Sequence, residues 1–179
     1  MVSESIKTQK FREGTIFKAI RKAFSELRIC CFTEGKENLL LWSHYANSHK
    51  GFCVEYDATI PPFSYAYKVQ YKNEYPEVLY PRPTDAAAFT PALVKSKIWN
   101  YEKEFRIIFT PEVDIQPPND GKSLLLAGHE MKNIYLGSEI QNKEKDTLLK
   151  LVERSKFNPR IWETKISESS FSLEFTQIQ

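Results

Sequence analysis

From Lys103 to Thr110 polar and apolar side chains alternate, so that Phe105, Ile107 and Phe109 fall on one side of the backbone and Glu104, Arg106 and Ile108 on the other. Only an extended chain puts every second side chain on the same face, so this segment is read as a strand with one buried face. Lys50 to Asp57 repeats the pattern, with Phe52, Val54 and Tyr56 facing one way and Cys53 and Glu55 the other. Two such strands are expected to lie side by side, or nearly so, in one sheet with their aromatic faces on a common core. Shorter runs extend the series. They are RICCF at 28–32, AYKVQY at 66–71, SLLL at 123–126, NIYL at 133–136, and RIWETKI with SFSLEF as a terminal hairpin.

Helical spacing occurs between these runs. Ile16, Phe17, Ile20, Phe24 and Leu27 recur at three- and four-residue steps, which predicts an amphipathic helix over about 15–27 whose outer face is basic. Asn38 is placed to cap a helix reading LLLWSHYANS, with Leu39, Trp42 and Ala46 turned inward and His44 on the side of Leu40 and Asn47. A further helix is expected from Asp85 to Lys97, kinked or divided at Pro91. Ser138 with Gln141 forms a capping box for a last helix running to about Lys156. The stretch from Ala58 to Pro91 carries six of the ten prolines and reads as a long ordered excursion. Strands that follow one another, with helices interspersed and no regular βαβ rhythm, predict an α+β fold. It would be a single domain over 1–179, built on a mostly antiparallel sheet.

Charge and motif content narrow the function. Lys plus Arg number 25 against 23 Asp plus Glu, a net charge of +2, which gives no strong nucleic-acid signal. The longest apolar runs are about four residues, whereas a membrane span needs about 20, so no membrane partner is expected. The polar opening MVSESIKTQK has no apolar stretch of the secretory kind, and the expected location is cytoplasmic. Cys30, Cys31 and Cys53 do not form a disulfide framework, and with the three histidines they offer no zinc-ligand spacing, so no metal is assigned. Glycine-rich phosphate loops and the GxSxG elbow are both missing, and no cofactor is named.

Two segments combine aromatic and titratable residues more densely than packing requires. One contains Trp42, Ser43, His44 and Tyr45, followed by His49, Lys50 and Gly51; the other contains Lys95, Lys97, Trp99, Tyr101, Glu102, Glu104 and Arg106. His44 and Glu104 are the candidate acid-base pair, because imidazole titrates near neutrality and a carboxylate can fix its protonation state. Trp42, Tyr45, Lys97, Trp99, Glu102 and Arg106 are the candidate binding residues. Each has a plainer reading: the tryptophans as core, His44 as a tie between helix and sheet, and Glu104 with Arg106 as an ion pair between strands.

These same residues carry a resemblance. CFT followed by LLLWSHYANSHKGFCVEYD is similar to the CFS, MWxHYAxxHKG and xFD block of the bacterial domain of unknown function 2971, and KSKIWNYEKEFRI is similar to that family's K and WxYExExR block. The later IYLGS, with the helix and strand that follow, resembles the family's C-terminal part, so the likeness spans roughly 28–166. It implies a protein of bacteria or phages, of no established activity, with His44, Tyr45, Lys97, Trp99, Glu102, Glu104 and Arg106 as signature positions. Longer members carry a further segment before the CF strand, which this chain is expected to lack.

Three functions are compatible with this reading. Glu102-Lys103-Glu104 at the start of a strand is similar to the Glu-x-Glu of ADP-ribosyltransferases, where a carboxylate stabilises positive charge at the anomeric carbon. The second is a nuclease-like hydrolase using His44 and Glu104. The third is a non-catalytic interaction module in a bacterial or phage defence or stress system, with the basic first helix as its contact surface. The partner in each case is a small molecule or a protein.

Overall fold

A computed structural model describes residues 27–76, 89–109 and 117–179, together with Gly14, Lys18, Arg21, Lys22 and Ser25. Its strands are β1 (Arg28–Thr33), β2 (Phe52–Tyr56), β3 (Tyr67–Lys68), β4 (Gln70–Lys72), β5 (Val94–Ser96), β6 (Glu104–Phe109), β7 (Met131–Leu136), β8 (Arg160–Ile166) and β9 (Leu173–Gln177). Helix α1 spans Leu39–Tyr45 and α2 spans Asn142–Glu153. One sheet has the order β1-β6-β3, a second β2-β7-β8-β9, and β4 and β5 form a parallel pair. β7 and β8 are also parallel, whereas the β1/β6, β2/β7, β3/β6 and β8/β9 pairs are antiparallel. The fold is therefore α+β on mostly antiparallel sheets.

The alternating segments do form strands, but β2 and β6 belong to different sheets. Alternation shows that a strand has a buried face without selecting the strand beside it. Ile107 is fully buried and Phe109 nearly so, in a core with Phe63, while Phe105 is half-buried with the Lys68 ammonium 5.8 Å from its ring. β2 divides its side chains. Val54 packs on Ile134, Leu136 and Ile161; Cys53 packs on the opposite face against Trp42, Tyr135 and Leu173; Phe52 is 48% exposed. Tyr56 leaves its own sheet's core and joins the other, stacking on Phe63 at 4.1 Å and meeting Phe32 edge-on at 6.2 Å.

The four-stranded sheet lies between two helices. Leu39, Trp42 and Ala46, from α1 and its C-terminal cap, pack with Tyr135, Trp162, Leu173 and Phe175, while Leu148, Leu149 and Val152 of α2 pack with Ile134, Leu136 and Ile161. The parallel register matches these layers, pairing Ile134 with Ile161 and Tyr135 with Trp162. α2 is the crossover that a parallel pair requires.

Asn38 caps α1 as expected, its side chain accepting from Leu40 N–H at 3.0 Å. The capping box does not form. α2 begins at Asn142 with Gln141 as its cap residue, making no side-chain bond, and the Ser138 hydroxyl is buried without a partner. The backbone there is already committed, because Gly137 N–H donates to Gly51 C=O (2.9 Å) and Glu139 N–H to His49 C=O (3.0 Å). The approach is so close that a Cβ on Gly137 would stand 2.0 Å from the His49 carbonyl oxygen, which explains glycine at this position.

SLLL is not a strand but supplies an isolated bridge between Asn119 and Leu124. The helix expected at 85–97 is replaced, from residue 90, by a 3₁₀ turn at Thr90–Leu93 followed by β5; its first residues lie outside the described set. Pro91 stands in the first turn of this 3₁₀ segment, where its missing N–H is tolerated. In the excursion after β2, Phe63 and Val69 are buried; residues 77–88 of it lie outside the described set. Of the basic helix expected over about 15–27, Lys18, Arg21, Lys22 and Ser25 are helical and exposed, and most of the remaining residues lie outside the described set.

Candidate functional site

A 3₁₀ turn, Lys97–Glu102, leads into β6 through Lys103, whose backbone is left-handed at φ 46°. After this reversal Glu102 and Glu104 both reach the ammonium of Lys95 on β5: Glu104 Oε2 accepts at 3.0 Å, and Glu102 Oε2 accepts in a tighter contact. Arg106 grips Glu104 with two nitrogens, Nε to Oε1 at 2.7 Å and Nη2 to Oε2 at 3.0 Å. Such a planar two-point contact is among the strongest charge-assisted arrangements. The remaining oxygen of Glu102 accepts from the Tyr45 hydroxyl at the end of α1, at 2.9 Å.

The backbone around the cluster is tied in as well. Tyr71 OH accepts from Glu104 N–H (2.8 Å), Asn38 Nδ2 donates to Tyr101 C=O (2.8 Å) and Thr33 Oγ1 donates to Glu102 C=O (2.7 Å). The network thus joins α1 and its cap, the end of β1, β4, β5 and β6. Glu102 and Glu104 are only 4% and 5% exposed, and the Trp99 ring lies 5.2 Å from the Lys95 ammonium.

The electrostatics follow from this packing. Burial alone would raise the carboxyl of Glu104, but hydrogen bonds from Arg106, Cys31 and Lys95 outweigh it and hold the group at about 2. Burial works against the charge of Lys95 too, yet the two carboxylates keep its ammonium above the ordinary value. Cys31 stands opposite Arg106 in the β1/β6 register, and partial burial together with Glu104 pushes its thiol up to about 11. A nucleophilic cysteine needs the reverse shift.

Of the predicted residues, the fold brings together Tyr45, Trp99, Glu102, Glu104 and Arg106. The others stand elsewhere. Trp42 is 3% exposed in the core, donating its indole N–H to Lys36 C=O at 2.7 Å and stacking on His49. His44 is exposed and, among the described residues, its side chain makes no hydrogen bond; its ring neighbour is Tyr45 at 6.4 Å. Lys97 is exposed, and Lys95 two residues earlier makes the ion pairs.

Lys95, Cys31 and Tyr71 are the members that sequence reading did not assign. Lys97 comes from the resemblance and 85–97 reads as a helix in sequence, whereas the strand at Val94–Ser96 is what presents Lys95; Cys31 and Tyr71 arrive by sheet pairing, opposite Arg106 and Lys95. Ser43 and His49 form a second contact, Oγ to Nε2 at 3.1 Å, but His49 Nδ1 is buried without a partner, so no acid orients the ring. Among the described residues no group of three or more His, Cys, Asp or Glu is placed to hold a metal ion.

Chemically, the cluster holds charge in place. Each oxygen of Glu102 and Glu104 already accepts from a side chain of the protein, and neither of the two concavities described below is bordered by His44 or Glu104. Comparison of the chain with family models, with curated proteins and with solved structures finds no match.

Proposed function

We propose that the chain is a non-catalytic binding module, and that the Lys95/Glu102/Glu104/Arg106 cluster is the tie that shapes it rather than a reaction centre. The observation that carries this reading is that every oxygen of both carboxylates is already engaged by the protein's own cations or a hydroxyl. An ADP-ribosyl transfer site needs a carboxylate free to meet positive charge at the anomeric carbon. A general base needs one that titrates near working pH, and a group held at about 2 does not. The likeness to the bacterial domain of unknown function 2971 enters here as a further proposal, supported by the convergence of its two blocks at one network. On that reading the module is cytoplasmic, serves bacterial or phage defence or stress, and offers the basic first helix, with Lys18 and Arg21 exposed, as a contact surface.

Two measurements on the full chain test the proposal. Glu104→Gln keeps the shape but leaves Arg106 and Lys95 short of a charge partner, so chemical denaturation is expected to show a loss of about 1 to 3 kcal/mol. Incubation with NAD is expected to release no nicotinamide. Release of nicotinamide that is lost in a Glu104→Gln variant of unchanged stability would overturn the module reading.

A further inference from the structure

Two neighbouring concavities lie around the loop that leads into β7, bordered by none of the Glu102/Glu104 cluster. The first, of about 510 Å³, has mostly apolar walls of Ile60, Pro61, Pro118, Leu125 and Leu126, with Glu130 at its border. The second, of about 530 Å³, is bordered by His129, Lys132, Lys156, Asn158 and Arg160. They share Ala127 and His129, so an apolar hollow and a cationic one open side by side. Volumes of this order suit a small molecule.

Three observations make the cationic half more than scattered surface charge. The chain as a whole carries only +2, yet three cations from three places border this hollow: Lys132 on β7, Lys156 beyond α2, and Arg160 at the start of β8. The nearby carboxylates are engaged. Glu130, 2% exposed, accepts from the N–H groups of Ala127 (2.6 Å) and Gly128 (2.7 Å), and Asp57 accepts from the N–H and hydroxyl of Thr59 while pairing at 3.3 Å with Lys132, a half-exposed contact that a phosphate would share or displace. The border is also preformed. Gly128 has φ 126°, a Cβ there would meet the Lys156 carbonyl oxygen at 3.1 Å, and the Lys156 ammonium is fastened to Leu126 C=O.

We infer that this double hollow binds a small molecule that carries a phosphate group on an apolar body, the phosphate between Lys132, Lys156 and Arg160 and the body against Leu125 and its neighbours. Arginine and lysine are the usual phosphate partners, the first by its two-point fork and the second as a point charge. The apolar half supplies what a bare anion would not use. The inference does not depend on whether the Glu102/Glu104 cluster is catalytic.

The test is titration calorimetry of the full chain at fixed ionic strength with phenyl phosphate, inorganic phosphate and phenol. Phenyl phosphate is expected to bind saturably and about tenfold tighter than inorganic phosphate. The exposed double variant Lys132→Ala/Arg160→Ala should abolish both, while Leu125→Asp should weaken phenyl phosphate alone. Vesicles containing phosphatidic acid provide the remaining arm; binding that the same variants abolish supports the site and identifies the phosphate source as a lipid headgroup. Absence of saturable binding, equal affinity for phosphate and phenyl phosphate, or indifference to these variants would overturn the inference. So would equally tight, salt-dominated binding of polyglutamate, because that describes a general polyanion face.

Discussion

At Glu104 one side chain gathers most of what is distinctive about this protein: a buried carboxylate, two nitrogens of Arg106, the Lys95 ammonium and a left-handed residue before it. Its carboxyl sits at about 2 rather than the ordinary 4.5. A group whose folded value is depressed stabilises the fold above its unfolded value, and that contribution fades as pH falls through the folded one. The Glu104 share of stability is therefore complete above about pH 4.5 and lost progressively toward about pH 2. Denaturation midpoints measured across this window should fall less steeply in Glu104→Gln than in the parent chain. Identical slopes would show that the ion pairs contribute nothing to the folded state.

At the scale of the element, α1 is seven residues long and too short to persist alone, since isolated helices below about 12 to 15 residues are marginal. It exists because Trp42 and Ala46 bury its inner side and Asn38 fixes its start. Asn38 has two duties, accepting from Leu40 N–H and donating to Tyr101 C=O. Asn38→Ala is expected to cost about 1 to 2 kcal/mol by denaturant titration. Asn38→Asp keeps the acceptor and loses the donor, so it should fall between the two. Beyond Tyr45 the chain runs through three consecutive left-handed residues, Asn47, Ser48 and His49, before β2. The bonds of Gly137 and Glu139 to this turn and its exit brace it from outside, an arrangement of backbones that no periodicity announces.

For the whole molecule the deciding contact is Tyr56, which hydrogen-bonds within one sheet and packs into the core of the other. Tyr56→Ala is expected to cost about 3 kcal/mol and to lower the cooperativity of unfolding, as judged by the denaturant slope. A loss below about 1 kcal/mol would mean that the two sheets are held together elsewhere. The small net charge leads to a different expectation. Binding to single- or double-stranded DNA should be weak and fall steeply with added salt, which a fluorescence titration at two ionic strengths would register. Tight, sequence-selective binding at physiological salt would contradict it. Among the described residues no helix is long and apolar enough to cross a membrane.

Much of this was legible in the chain. Strands β1, β2, β6, β7, β8 and β9, the Asn38 cap and the inward side of α1 all follow from side-chain periodicity, because a period of two or 3.6 fixes which residues must leave water together. The grouping of Tyr45, Trp99, Glu102, Glu104 and Arg106 was legible as composition, since charged and aromatic residues so dense are seldom left to solvent. What only the tertiary structure decided is partnership. It placed β2 and β6 in separate sheets, chose Lys95 over Lys97, left His44 in solvent and turned a suspected acid-base pair into a closed set of ion pairs. The physical reason is that periodicity is a local property of the backbone, whereas the choice of neighbour depends on hydrogen-bond register and on the fit of side chains far apart in the chain, and neither is written at the positions it brings together.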